Sequence, residues 1–168
     1  DPEVDQLSQT VNQPNIFKIL GVSHYEIRHS NFLAWLLDPY ESHGVGDWVL
    51  RSLLQELFID GRAMGVSILD LAEINLDGVQ IKREWNYIDL LIVHGDFVVA
   101  IENKVDSDEH SDQLARYEQT VEAHFADRKK VYVYLTPDGR EARESKFYIN
   151  IGYVVIAELL TTLLEHPP

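Results

Sequence analysis

A chain of 168 residues with 45% hydrophobic and 10% aromatic content is long enough to bury a sizeable core and has a globular composition. Its formal net charge of −14 excludes a generally basic surface, so any grip on a nucleic-acid backbone has to be local. The absence of cysteine removes disulfides, thiolate metal sites and a cysteine nucleophile, and fits a reducing compartment.

The opening DPEVDQLSQTVNQPN is polar and lacks the basic and apolar stretches of a secretory signal. It reads as a loosely ordered lead-in (1–15) to a single cytosolic domain over 16–168. No window holds the roughly 18 consecutive apolar residues of a membrane span, so no membrane partner is expected. YEIRHSNFLAWLL, from Tyr25 to Leu37, carries a helical stripe of Glu26, Ser30, Leu33 and Leu37, widened by His29, Phe32 and Leu36. Asp38-Pro39 ends it. A second amphipathic helix is expected from Asp47 to Phe58, and the segment IDGRAMGVSILDLAEINLDG after it has no readable period.

The period then becomes extended. VQIKRE, YIDLLIVH and FVVAIENKV are three strands, the last two apolar on both faces as central strands are. Gly95-Asp96 between them predicts a type II′ hairpin that pairs His94 with Phe97, and counting outwards sets Asp89 opposite Glu102. A helix is predicted over Asp108–Ala126, with acids in its first turn and a core stripe of Leu114, Tyr117, Val121 and Phe125. KVYVYLT forms a fourth strand ending at Pro137-Asp138-Gly139, and YVVI a short fifth strand before the helix AELLTTLLEH. The basic run Arg128-Lys129-Lys130 reads as a solvated turn.

Two carboxylates facing each other on central strands would have Cβ atoms roughly 4.5 to 5.5 Å apart and repel. A shared proton, a cationic side chain or a divalent metal has to offset the repulsion. Lys104 lies two residues beyond Glu102, so one face gathers Asp89, Glu102 and Lys104. Oxygen ligands suit Mg²⁺ or Mn²⁺ better than zinc, and the histidines have no HExxH or H-x₃-H spacing. Neither a phosphate-binding GxxxxGK[ST] nor a GxSxG elbow is present. This is the equipment of metal-assisted phosphodiester hydrolysis. An ordinary lysine–carboxylate pair at the rim of the sheet is the alternative these residues leave open.

IDLLI, then VVAIENK, then a helix with QLARY, resembles the PD-(D/E)XK nuclease superfamily. The resemblance implies a restriction-endonuclease-like α/β fold: a mixed central sheet, three strands as a meander plus one or two more, flanked by helices. It sets the Asp of the motif on Asp89, the (D/E)XK on Glu102-Asn103-Lys104, and a common helix glutamine on Gln113. EIRHSNFLAWLLDPYESHG resembles the N-terminal helix of one bacterial branch, in which a glutamate, here Glu26, often completes the metal site. Glu26 also shares the core stripe of its helix, where a carboxylate needs a partner. Glu84 competes, but a chain running straight through Trp85 to Tyr87 points it to the opposite face. Tyr117, one turn from Gln113, and His29 and Ser30 beside Glu26 are candidate supporting groups. Asn103 points away and is structural.

The implied activity is hydrolysis of nucleic acid, DNA first, dependent on Mg²⁺ or Mn²⁺, in phage defence or DNA processing. A homodimer, or an additional substrate-binding region outside this chain, is left open as a partner. The acidic charge favours a competing reading, a catalytically idle nuclease-fold domain acting as an interaction or regulatory module.

Overall fold

The computed structural model describes residues 19–59, 74–106, 112–143 and 147–168. The expected lead-in and most of the unreadable segment, 60–73, lie outside the described residues. Helix α1 (Glu26–Leu37) buries Ser30, Leu33, Ala34, Leu36 and Leu37, and the Asp38 N–H closes it on the Ala34 carbonyl just before Pro39. Helix α2 (Trp48–Ile59) buries Leu50, Leu53, Leu54 and Leu57 at helical spacing.

Strands β1 (Gln80–Trp85), β2 (Ile88–Val93) and β3 (Phe97–Asn103) form the antiparallel meander. Helix α3 (Gln113–His124) leads to β4 (Lys129–Thr136), which lies parallel to β3. Strand β5 (Tyr148–Gly152) adds parallel to β4, and α4 (Tyr153–Glu165) follows. The result is one five-stranded mixed sheet in chain order with helices against it, the expected α/β architecture. No helix among the described residues is long and apolar enough to cross a membrane.

Strand alternation divides the core. Leu90, Ile92, Val99 and Ile101 face a cluster that includes α1, α2 and α4 residues such as Leu33, Leu54 and Ile156. Leu91, Val98 and Ala100 face Leu114, Tyr117 and Val121 of α3. A slip of one residue would exchange the two sets, so burial on both faces holds the register tightly.

Four expectations change. The β2–β3 register is the predicted one, from Val93 with Val98 to Leu90 with Ile101, and the His94 N–H bonds the Phe97 carbonyl at 2.9 Å. Yet Gly95 is not in the left-handed region, so the turn is not type II′. Helix α3 starts at Gln113, with no acid in its first turn; Asp112 precedes it with φ 65°, and residues 107–111 lie outside the described ones. YVVI is helical rather than extended, because Tyr153, Ile156, Leu160 and Leu163 repeat at helical spacing toward the core, and the strand is the preceding YINIG. Finally, β1 and β2 meet in a two-residue turn, Asn86-Tyr87, both at positive φ. The reversal the meander requires therefore falls at Asn86-Tyr87, the straight run that set Glu84 on the opposite face does not exist, and Glu84 lies between the Arg83–Leu90 and Trp85–Ile88 pairs, opposite Asp89.

Candidate active site

The apolar part of β3 is buried on both faces, and it holds rigidly the polar residues that follow. Glu102 is 1% exposed and Lys104 6%. Lys104 Nζ donates to Glu102 Oε1 at 2.9 Å, while the Lys104 backbone N–H is pinned to the Leu135 carbonyl of β4 at 2.9 Å. From α3, Gln113 Nε2 donates to the same Glu102 oxygen at 2.7 Å and lies 2.6 Å from Tyr117 Oη, which donates to the Tyr87 carbonyl. Glu102 Oε2 and Gln113 Oε1 are both buried without a hydrogen-bond partner among the described residues. Leaving such atoms unpaired is costly unless a ligand takes them up.

Continuing the β2–β3 register one step sets Asp89 opposite Glu102, and Asp89 Oδ2 accepts the Asn103 N–H at 2.8 Å. Burial pushes the Asp89 carboxyl up to about 6, against the lowering effects of the Asn103 N–H and Lys104; Glu84 and Glu26 raise it further. Glu102 is pushed up to about 8, by burial first and by Asp89 second, with Lys104 pulling the other way. Burial alone would lower Lys104, but Glu102, Glu26 and Asp89 outweigh it and the ammonium is strengthened. The strand end therefore carries more negative charge than one lysine neutralises.

Glu26 arrives from the other face of the sheet as the first residue of α1. Its Oε1 accepts the Val105 N–H at 2.9 Å and the Asp106 N–H at 3.4 Å, which ties it to the chain leaving β3. Asn103 points to the α1 side: its Nδ2 donates to Ser30 Oγ at 3.0 Å and its Oδ1 accepts from Tyr153 Oη at 2.8 Å. Ser30 thus steadies the residue between Glu102 and Lys104. His29 Nε2 donates to the Ser23 carbonyl at 3.0 Å, holding the approach to α1, and its ring meets Tyr153 edge-on.

Asp89, Glu102, Lys104, Gln113 and Tyr117 thus form one connected group, with Glu26 bonded to the next residues of the same chain end. Glu84 is exposed, with φ 54°, and its charge is felt at Asp89. Sequence reasoning missed Tyr153 because it assigned that residue to a strand, and missed Tyr87 because it read the turn as extended. The only signal for the turn was Asn86, a residue that tolerates positive φ. The basic run is at the other end of the sheet, where Lys129 pairs with Phe97. There Lys130 bonds Glu122 at 2.9 Å, and Arg128 lies over Phe125.

The donor chemistry fits a hard divalent cation: carboxylate oxygens only, one of them buried and without a hydrogen-bond partner among the described residues. Among the described residues no three His, Cys, Asp or Glu side chains converge into a ready-made cage. Magnesium does not require one, since it is commonly held by one or two carboxylates with waters completing the shell.

A helix, an antiparallel meander, a helix and a parallel strand, with acid, acid and lysine at one strand end, define a restriction-endonuclease-like domain. The chain belongs to the PD-(D/E)XK nuclease superfamily, whose family model matches residues 14–166. Membership points to nuclease function, to nucleic acid as partner and to divalent metal ions as the typical cofactor class. Neither the curated proteins nor the solved structures include a significant match.

Proposed function

We propose that the chain is a Mg²⁺- or Mn²⁺-dependent nuclease that hydrolyses phosphodiester bonds in DNA, in DNA processing or phage defence. The observation that carries this reading is the buried, unpaired Glu102 Oε2 beside Asp89 and Lys104 at one strand end. Asp89 and Glu102 would hold the ion and Glu26 would add a further acid. When bound, the ion polarises the phosphoryl oxygen and activates water. Lys104, kept cationic by its acidic neighbours, stabilises charge that develops on the phosphate. The Gln113 carbonyl oxygen, buried without a hydrogen-bond partner among the described residues, can accept a hydrogen bond from the attacking water and orient it. Tyr117 holds Gln113, and Ser30 and Tyr153 hold Asn103.

Plasmid cleavage tests this. The wild type cuts with Mg²⁺ or Mn²⁺ and not with chelator, and Lys104→Ala cuts on the order of a hundredfold more slowly. Equal rates for the two would remove Lys104 from the site. The idle interaction module is the second reading, supported by the net charge of −14 and by the lack of a three-ligand cluster among the described residues. A calorimetric titration with no Mn²⁺ binding at millimolar metal would favour it.

A further inference from the structure

We infer that Tyr87 is a nucleobase-stacking residue at the mouth of this site, an inference that rests on the nuclease reading and names how the substrate is held. Trp85 pairs with Ile88, so Asn86 and Tyr87 alone turn the chain, at φ 49° and 69°. A two-residue turn with both φ values positive is the type I′ hairpin, for which Asn-Gly is the favoured pair. Asn86 conforms. Tyr87 stands where glycine would be unstrained, and an L-residue there works against backbone sterics.

Packing does not account for the ring. Tyr87 is 85% exposed, and among the described residues no ring contact or hydrogen bond holds its side chain. An exposed aromatic residue on a strained backbone whose own carbonyl bonds a buried polar cluster is an outlier of the kind that collects at functional sites. Its backbone is tied to the cluster: the Tyr87 carbonyl accepts Tyr117 Oη, Gln113 Nε2 lies on that hydroxyl, and the same Nε2 bonds Glu102. Asp89 follows two residues later. A base stacked on Tyr87 is thereby registered against both carboxylates.

The charge of the chain strengthens the case. With a net −14, and with the Arg128–Lys130 run engaged at the opposite end of the sheet, phosphate neutralisation is a weak source of affinity. Stacking on an aromatic ring is insensitive to that charge and tolerant of base identity.

The test uses the full chain with Tyr87→Gly, which suits positive φ, Tyr87→Asn as a second variant that tolerates it, and Tyr87→Phe, which keeps the ring. Binding of a single-stranded DNA oligonucleotide carrying a fluorescent purine analogue is followed in Ca²⁺, and cleavage in Mg²⁺. The wild type and Tyr87→Phe quench the analogue. Tyr87→Gly and Tyr87→Asn lose the quenching and about tenfold in affinity, which is within the range of one base–aromatic stack. Their KM rises while kcat stays within about twofold. Unchanged quenching and affinity in folded Tyr87→Gly or Tyr87→Asn would overturn the stacking role alone. A wild type that neither binds nor cleaves the oligonucleotide but cuts plasmid in Mg²⁺ would overturn the stacking inference and leave the nuclease reading standing, and one that cuts neither substrate would overturn both.

Discussion

The two turns at the ends of β2 are built on different principles. At the far end, Gly95-Asp96 is relaxed: Gly95 avoids the left-handed region, and His94 donates through Nε2 to the Asn75 carbonyl while its Nδ1 accepts the Asp96 N–H. The His94 ring also stacks on Phe97 at 4.7 Å. At the site end, Asn86-Tyr87 is strained, its aromatic ring is in solvent, and the strand beyond it leads straight to Asp89. Local chemistry satisfies the turn that only connects. The turn beside the carboxylates departs from it, and strain of this kind collects at functional sites.

Substitution at the site end should uncouple activity from stability. Asp89→Asn keeps an oxygen for the Asn103 N–H, so the fold survives, but cleavage falls on the order of a hundredfold or more. Plasmid cleavage and thermal melting of the same preparation check both halves. The pH response is next in size. Glu102 is raised from 4.5 to about 8 and Asp89 from 3.8 to about 6, so the folded, metal-free protein holds protons that the unfolded chain releases. Their contribution is therefore fully present below about pH 4 and is lost as pH rises through about 8. Denaturation in chelator should show metal-free stability falling between pH 5 and pH 8 relative to Glu102→Gln. Added Mg²⁺ should stabilise the wild type more at pH 8 than at pH 5, because the ion binds the deprotonated carboxylates. A flat difference would show that Glu102 does not titrate in this window.

The carboxylates were legible because a strand apolar on both faces has no packing reason to end in Glu102 and Lys104. Their partner Asp89 was legible because register depends on loop length, and Gly95-Asp96 sets that length whatever the turn type. Turn type depends on φ and ψ, which residue identity biases without determining. That is why type II′ was expected and is absent. At the other end the meander required a reversal, but Trp85 and Tyr87 are good strand formers, so its place was not legible and Glu84 was assigned to the wrong face. The three β-branched residues of YVVI hid a helix in the same way, and with it the Tyr153–Asn103 bond. Glu26 was legible as an acid on an apolar stripe, but its acceptance of the Val105 N–H depends on where α1 docks, and no local pattern encodes that.

The smallest predicted effects test the contrast between the turns most directly. Tyr87→Gly relieves a left-handed residue, worth roughly 1–2 kcal/mol, and gives back roughly 0.5–1 kcal/mol in backbone entropy, so the net gain is about 0.5–1 kcal/mol. Gly95→Ala acts in the opposite chemical sense with the same sign. A methyl there meets nothing within 4 Å and no positive φ opposes it, so the loss of unfolded-chain freedom stabilises the protein by about 0.4–1 kcal/mol. Adding a glycine at one end of β2 and removing one at the other should both raise the denaturation midpoint. The turns are separated by the length of the strand, so the double variant should sum to within about 0.5 kcal/mol. Urea unfolding of the four proteins reads this, with cleavage assays alongside: Gly95→Ala leaves KM unchanged and Tyr87→Gly raises it. If Tyr87→Gly destabilised the protein while Gly95→Ala did not, the strain would not lie at the site end, and the contrast between the two turns would fail.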